Sequence, residues 1–467
     1  MEIILNNRIR VKDPPEIIKN LLIEKLLVDN PKFLEAEASG RSTWGIDKNI
    51  LNFATMPDGS FLVPRGIRQW LVKQAEEILG PNNFTITDER TIFEYTEVDS
   101  SSIKYRPYQL EAVTNLVSSS PEGVLVAPAG SGKTVMGLSL IPLVGQPALW
   151  LTHTGTLAEQ AKERAEAFLP NIGEIGLFGR SEWEKGDLLT IGMIQTLIRN
   201  PEKLIKMRDE WGLVILDEAH HCSSRTFLEV VQHLNPYYIY GLTATPYRRD
   251  KLEMLMFQTL GETKTIIPIK KVEKHGGIIV PKIRCRAVIS KQIDGNNIQE
   301  ILKVIISDKK RNNMIVSDVI AEATAGHFCI VISDRRAHCE TLHKLIQTKW
   351  KKTDIVTGKY NRKHINRQVD RYNKNEITVL VATFALLGEG FDVPFLDRAF
   401  IAMPFRAEAK TEQLIGRIQR AYPGKKDAIV YDYIDINIGV LENQFSNRKK
   451  ASRSRVYNRL GVEIEHY

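Results

Sequence analysis

The sequence predicts an α/β protein: two tandem parallel-sheet units preceded by a small α+β section. Three observations predict it. Short apolar runs alternate with helix-length spacers from about residue 105 to 265, and the alternation resumes after about 295. Two of these runs end in segments rich in phosphate- and metal-binding residue types, Ala127–Thr134 and Leu216–His220. The length of 467 residues leaves room for about three domains.

Residues 1–97 form a compositionally separate opening section. It holds an apolar-periodic stretch from Ile17 to Val28, an irregular part rich in Asn, Gly and Pro, and a helical pattern from Gly66 to Leu79. No catalytic motif occurs there, so it is expected to be an accessory domain. Within 98–265 the apolar runs are Val124–Ala127, Ala148–Leu151, Leu189–Gly192, Leu213–Asp217 and Tyr238–Leu242. Runs so spaced indicate a parallel sheet covered on both faces. Residues 266–295 read as a less regular basic linker, with Lys270, Lys271, Lys274, Lys282, Arg284 and Arg286. In 296–467 the runs are Phe328–Ile332, Asp354–Val356, Thr378–Val381, Ala399–Ala402 and Ala428–Tyr431. A basic tail follows, with Arg448, Lys449, Lys450, Arg453, Arg455 and Arg459.

The segment Ala127-Pro-Ala-Gly-Ser-Gly-Lys-Thr134 has the make-up of a phosphate cradle. Gly130 and Gly132 permit a tight bend around Ser131 that turns backbone N–H groups toward phosphate oxygens. Lys133 adds a charge for the terminal phosphates of ATP, and Thr134 offers a hydroxyl to Mg²⁺ at a helix start. Asp217 and Glu218 end an apolar run, which places both at the ligand edge of an open α/β sheet. Asp217 is expected to hold Mg²⁺ and Glu218 to orient and deprotonate the attacking water. Thr243 and Thr245 flank an alanine after the next run. They are expected to relay the state of the phosphate site by hydrogen bonding to the neighbouring carboxylates. Gln413, Arg417 and Arg420 share one face at helical spacing. A guanidinium carried there neutralises charge that develops in phosphoryl transfer, an effect worth a factor of about 10³–10⁵.

With Arg106-Pro107-Tyr108-Gln109 these motifs resemble, in order and spacing, those of a superfamily 2 helicase with a DEAH-type second motif. The branch is the one that holds the XPB-like and UvsW-like DNA helicases. Further matches are Thr152-His153-Thr154, Thr190 to Gln195-Thr196, Val331–Arg335, and Thr383 followed by Gly388-Glu-Gly-Phe-Asp392. The resemblance covers about 105–435 and implies two RecA-like lobes with ATP between them and nucleic acid across both. It places Arg106, Gln109, Gly390 and Asp392 at the nucleotide, Gln109 on the adenine edge. It places Thr152, Thr154, Gln195, Thr196, Ser333, Arg335 and Thr383 on a nucleic-acid strand, suited to phosphate and sugar contact without reading sequence. Arg248-Arg249-Asp250 stands where XPB-like proteins carry Arg-Glu-Asp, which leaves a strand-separating role open. Pro64-Arg65-Gly66 and Trp70 are candidates for a branched-DNA reader, although such a Trp is more often core.

Composition fits this reading. A net charge of +8 with clustered basic residues favours a polyanionic partner. Hydrophobic content of 43% and charged content of 26% are ordinary for a globular protein. The four scattered cysteines lack metal-ligand spacing. No run reaches the roughly 20 apolar residues of a membrane span, and no signal-peptide pattern is present. A cytoplasmic location is therefore expected, on a nucleoid or in a host's cytoplasm. The function expected is ATP-dependent, Mg²⁺-requiring unwinding or remodelling of single-stranded, duplex or branched DNA in repair, recombination or replication. The motor of a restriction or anti-phage complex, an RNA helicase, and a scaffold without turnover are the alternatives.

Overall fold

The computed structural model describes residues 1–179, 181–220, 225–244, 252–289, 298–358, 362–384, 393–405, 408–446 and 453–466. The chain opens with an antiparallel hairpin, β1 (Glu2–Leu5) and β2 (Arg8–Lys12). Alternation turns Ile3, Leu5, Ile9 and Val11 inward, onto the apolar faces of helices Glu16–Leu26 and Arg68–Leu79. Strands β3 (Leu27–Asp29) and β4 (Asn49–Leu51) form a separate ribbon. With β5 (Ala54–Thr55), β6 (Phe61–Pro64) and β7 (Thr85–Asp88), the hairpin completes a mixed sheet in the order β5-β6-β2-β1-β7.

The next sheet contains β8 (Glu122–Val126), β9 (Ala148–Thr152), β10 (Ile175–Gly179), β11 (Glu182–Glu184), β12 (Leu189–Met193), β13 (Leu213–Asp217), β14 (Tyr238–Thr243) and β15 (Thr263–Ile266). Its order is β11-β10-β12-β9-β13-β14-β8-β15, and every pair but β10–β11 is parallel. The last sheet contains β16 (Lys282–Val288), β17 (Cys329–Ser333), β18 (Thr353–Val356), β19 (Val379–Thr383), β20 (Arg398–Ile401), β21 (Ile429–Asp435) and β22 (Ile464–His466). It is wholly parallel, in the order β18-β19-β17-β20-β21-β16-β22. With β11 set aside, both sheets run third, fourth, second, fifth, sixth, first, seventh strand. One topology is thus used twice, with no repeat visible in sequence. The chain divides into two compact units, Met1–Pro128 with Gly132–Lys271, and Val272–Tyr467 with Ala129–Ser131.

The segment expected to be a basic linker is largely built into these sheets. Its alternation is that of a strand: Ile283 and Cys285 are buried in β16, between β21 and β22. The basic residues between them meet carboxylates. Lys282 lies 3.3 Å from Glu463, Arg284 3.2 Å from Glu465, and Arg286 3.2 Å from Asp318. In the tail, Arg453 is a core residue, ion-paired to buried Asp432 at 2.8 Å, and Arg459 pairs with Glu412. Arg448, Lys449 and Lys450 lie outside the described residues.

The opening section is fastened to the β8 sheet by buried charge. Glu122, first residue of β8, lies 2.7 Å from Arg68 and 3.7 Å from both Arg65 and Arg90. Arg65 also donates to the carbonyls of Pro236 and Tyr237, at 2.7 and 3.0 Å. A side chain at Gly66 would put its Cβ 2.3 Å from the Gly261 nitrogen, so the two backbones meet there only through glycine. Arg65 and Gly66 thus form an internal joint instead of a DNA reader, and Trp70 packs against the section's own core. Burial pushes the Arg65 guanidinium down to about 10, against the opposing pull of Glu122. Glu122→Ala removes the carboxylate common to Arg65, Arg68 and Arg90, leaving Arg90 with Asp88 and Arg65 with two carbonyls; removing one partner of a buried pair costs about 3–5 kcal/mol. A denaturant titration should show the first unfolding transition weakened by that amount.

Candidate nucleotide site and strand-contact edge

At the carboxyl end of β8, the Ala127 N–H donates to the Thr243 carbonyl at 2.9 Å, keeping the chain beside β14 before it turns. Gly130 and Gly132 both take left-handed backbone, φ 82° and 88°. Helix Lys133–Val144 starts at once, with Gly132 as its N-cap, so Lys133 and Thr134 sit at a positive helix end. Gln109 explains Gly132 further. Its amide oxygen accepts the Arg106 N–H at 2.9 Å, and its nitrogen lies 2.3 Å from where a Cβ on Gly132 would be. Gln109 is buried and braces the cradle, a duty the adenine-reading expectation did not contain.

Asp217 ends β13, where its carboxylate accepts the Glu218 N–H at 3.0 Å. Burial, and then the charge of Glu218, push its carboxyl up to about 7, with Lys133 pulling the other way. A buried carboxylate beside a second carboxylate, within the influence of Lys133 at a helix start, is an oxygen donor set that fits Mg²⁺. Glu218 has φ 51°, strained for a residue with a Cβ. Its side chain lies 3.4 Å from His220 Nδ1, and that same nitrogen lies 3.3 Å from the Thr243 hydroxyl. The Thr243 hydroxyl and the Glu218 carboxylate thus meet at one nitrogen of His220, a partner the expected relay did not include. Burial lowers the pKa of the nearby His153, which feels the charge of Glu218. Sequence reading gave neither histidine a role, although His220 lay inside the acidic motif. Thr245 and Arg248-Arg249-Asp250 lie outside the described residues.

The expected strand contacts occupy neighbouring strand ends. Thr152 ends β9, and Gln195 and Thr196 open the short helix Ile194–Leu197 that follows the adjacent β12. In the second unit, Ser333 ends β17 and Thr383 ends the adjacent β19. These are the second and fourth strands of the shared order in both units. Two of the hydroxyls are turned inward. Thr152 is buried and donates to the Thr154 carbonyl at 3.1 Å. Ser333 is buried and accepts the Arg335 N–H at 3.2 Å. They shape the turns, while the residues two positions on, Thr154 and Arg335, cap the helices Gly155–Phe168 and Arg336–Lys349 and stand nearer solvent.

Gln413 and Arg417 lie on helix Glu408–Ile418, but Arg420 does not. The helix stops at Ile418, and Arg420 instead forms an antiparallel bridge with Ile278. The one-face arrangement of all three is thereby corrected: the Gln419 N–H still reaches the Ile415 carbonyl at 2.9 Å, and the next residue leaves the helix to pair with Ile278. Gly390 and Asp392 lie outside the described residues.

Residues 102–248 match the family described as Type III restriction enzyme, res subunit, and residues 310–422 match the helicase conserved C-terminal domain. The chain is a superfamily 2 helicase. It is similar to the probable helicase D10 of Escherichia phage T5, 22% identical over 94% of this chain and 95% of that protein. It is also similar to the ATP-dependent DNA helicase uvsW of Enterobacteria phage T4, 23% identical over 65% of this chain and 61% of that one. Saccharomyces cerevisiae Dbp5 bound to RNA and ADP BeF3 shares the fold, with TM-score 0.53 and 15% identity over 78% of this chain and 90% of that one. In this helicase, Thr243→Val removes one hydroxyl bond, worth about 1 kcal/mol. Nucleic-acid-stimulated turnover should fall about fivefold, with nucleotide affinity held, in paired steady-state and nucleotide-titration assays.

Proposed function

We propose that this helicase translocates on DNA and unwinds or remodels duplex or branched DNA, as repair, recombination and replication require. The observation that carries the reading is the separation of two sets of residues along one sheet edge. In the first unit Lys133, Asp217 and Thr243 stand at or after the ends of β8, β13 and β14, whereas Thr152, Thr154, Gln195 and Thr196 stand at or after the ends of β9 and β12. Nucleotide chemistry and strand contact thus share one rigid sheet without sharing strands. DNA is favoured over RNA by the printed names of uvsW, a DNA helicase, and XPB2, a DNA translocase, against one relative named as a putative RNA helicase. The match of residues 102–248 to a restriction-enzyme subunit supports, as a second reading, a motor within a DNA-cutting complex.

In this reading Lys133 and the loop N–H groups bind the phosphates of ATP, and Thr134 and Asp217 hold Mg²⁺, which lends positive charge to those phosphates. Glu218 takes the proton of the attacking water, and Arg417 and Arg420 neutralise the charge that develops on the phosphates. Hydrolysis changes the fit between the units, and the contacts at the second and fourth strands step along the DNA.

Lys133→Ala and Glu218→Gln should each reduce ATP hydrolysis to background, a loss of at least about 10³-fold, while DNA binding persists. Wild-type turnover in either variant would refute the site. Stimulation by forked, junction, duplex and single-stranded DNA and by RNA, at fixed salt because affinity depends steeply on it, separates the substrate classes. Strongest stimulation by RNA would overturn the DNA assignment.

A further inference from the structure

Five residues beyond Arg420, a lysine is folded back beneath the segment that carries the arginines. Tyr422-Pro423-Gly424 makes the turn: the Lys425 N–H donates to the Tyr422 carbonyl at 3.1 Å, and Gly424 takes φ 85°. The Lys425 ammonium then donates to the carbonyls of Ile418 at 2.5 Å, Arg420 at 2.9 Å and Pro394 at 3.5 Å. Ile418 is the last residue of the helix bearing Gln413 and Arg417, and Pro394 lies two residues beyond Asp392. The same join is braced by rings, Tyr422 meeting Phe395 edge-on at 5.8 Å. On the other side, Gln419 accepts the Ile279 N–H at 2.7 Å, so the chain from Ile418 to Arg420 is held by its backbone on both flanks.

We infer that Lys425 is a positioning residue for hydrolysis: its three donors fix the backbone that carries Arg417 and Arg420 and tie it to the exit of the Gly388–Asp392 element. The inference rests on the role proposed above for those arginines. A helix end leaves carbonyls without intrahelical partners, and a cation there is favourable to the helix dipole. An ammonium with three donors serves three carbonyls at once, which a methionine or leucine of similar volume does not.

The electrostatics argue against a purely structural staple. Burial pushes the Lys425 ammonium down to about 8; Arg398 and Arg420 act in the same direction, and Asp397 and Asp427 oppose it. The acids are already engaged, Asp397 with His327 at 2.7 Å and Asp427 with Arg398 at 2.8 Å, and Arg398 also meets Glu322 at 2.6 Å. The charged form is therefore present below about pH 8 and lost above it, well before an exposed lysine would lose it. Between that value and the ordinary lysine range, the unfolded chain binds the extra proton, so this group makes the fold more stable as pH rises. The pin loses its charge and one donor over the same range. Activity and stability should thus move in opposite directions above pH 8, which a staple for the fold would not produce.

The test compares Lys425→Met and Lys425→Arg with wild type in DNA-stimulated ATP hydrolysis from pH 7 to 9.5, beside thermal melts and nucleotide titrations. Lys425→Met should lower kcat about tenfold or more, the scale of a lost charge-assisted hydrogen bond, with the KM for ATP within about twofold. Lys425→Arg should keep most of kcat and hold it at alkaline pH where wild type declines, because a guanidinium stays charged. A wild-type kcat in Lys425→Met, or superimposable pH profiles for wild type and Lys425→Arg, would overturn the inference. Should Lys425→Met not fold, the comparison of pH profiles decides alone. Arg417→Ala and Arg420→Ala run alongside keep the two readings apart. Active arginine variants overturn the role given to the arginines, whereas inactive ones beside a fully active Lys425→Met overturn only the pin.

Discussion

The parallel hydrogen-bond ladder is the constraint on which this molecule depends. Once strands run the same way, all their carboxyl ends reach one edge, and each must be followed by a turn and a helix whose first N–H groups lack partners. In the β8 sheet that edge collects the phosphate loop after β8, the acid pair after β13, Thr243 at the end of β14 and the turn after β9, and the β17 sheet has its own such edge with the turn after β17. Chemistry scattered over more than a hundred residues of sequence is gathered by this geometry alone. The helix that begins at Lys133 is also held at its far end, where Tyr95 donates to the Pro142 carbonyl at 3.0 Å and Thr96 to that of Gly145 at 2.9 Å.

The strand order shows how far the constraint extends. Third, fourth, second, fifth, sixth, first, seventh is a permutation that both sheets share. The residues expected on a nucleic-acid strand fall on its second and fourth members in each unit. The equivalence includes detail: Thr152 and Ser333, both buried at strand ends, hydrogen-bond into the turn two residues on. Thr154 and Arg335, at the N-cap positions of the next helices, are the more exposed residues of these turns.

Charge in this chain is more often structural than its total suggests. Arg65, Arg68 and Arg90 converge on Glu122, Arg311 meets Asp435 at 3.0 Å with both side chains fully buried, and Arg453 meets Asp432. Such pairs are weak evidence for stability but bind an element to one place, since either partner alone is an uncompensated buried charge.

The central strands, the phosphate loop, the acid pair and the order of the motifs were legible in the sequence because each is a local pattern. Apolar runs of four or five residues report burial on both faces, and glycines at 130 and 132 report a backbone that no other residue adopts cheaply. β16 was not recognised because its partners β21 and β22 lie far along the chain and alternate basic residues disguised it as a linker; the opening hairpin, although local, was also missed. Only the tertiary structure decided that Glu122 takes three arginines, that Gln109 lies on Gly132, that His220 stands between Glu218 and Thr243, and that Lys425 closes the end of the Arg417 helix. In each case a polar atom found its partner by folding, and burial then made that choice binding. Periodicity along a chain carries no record of it.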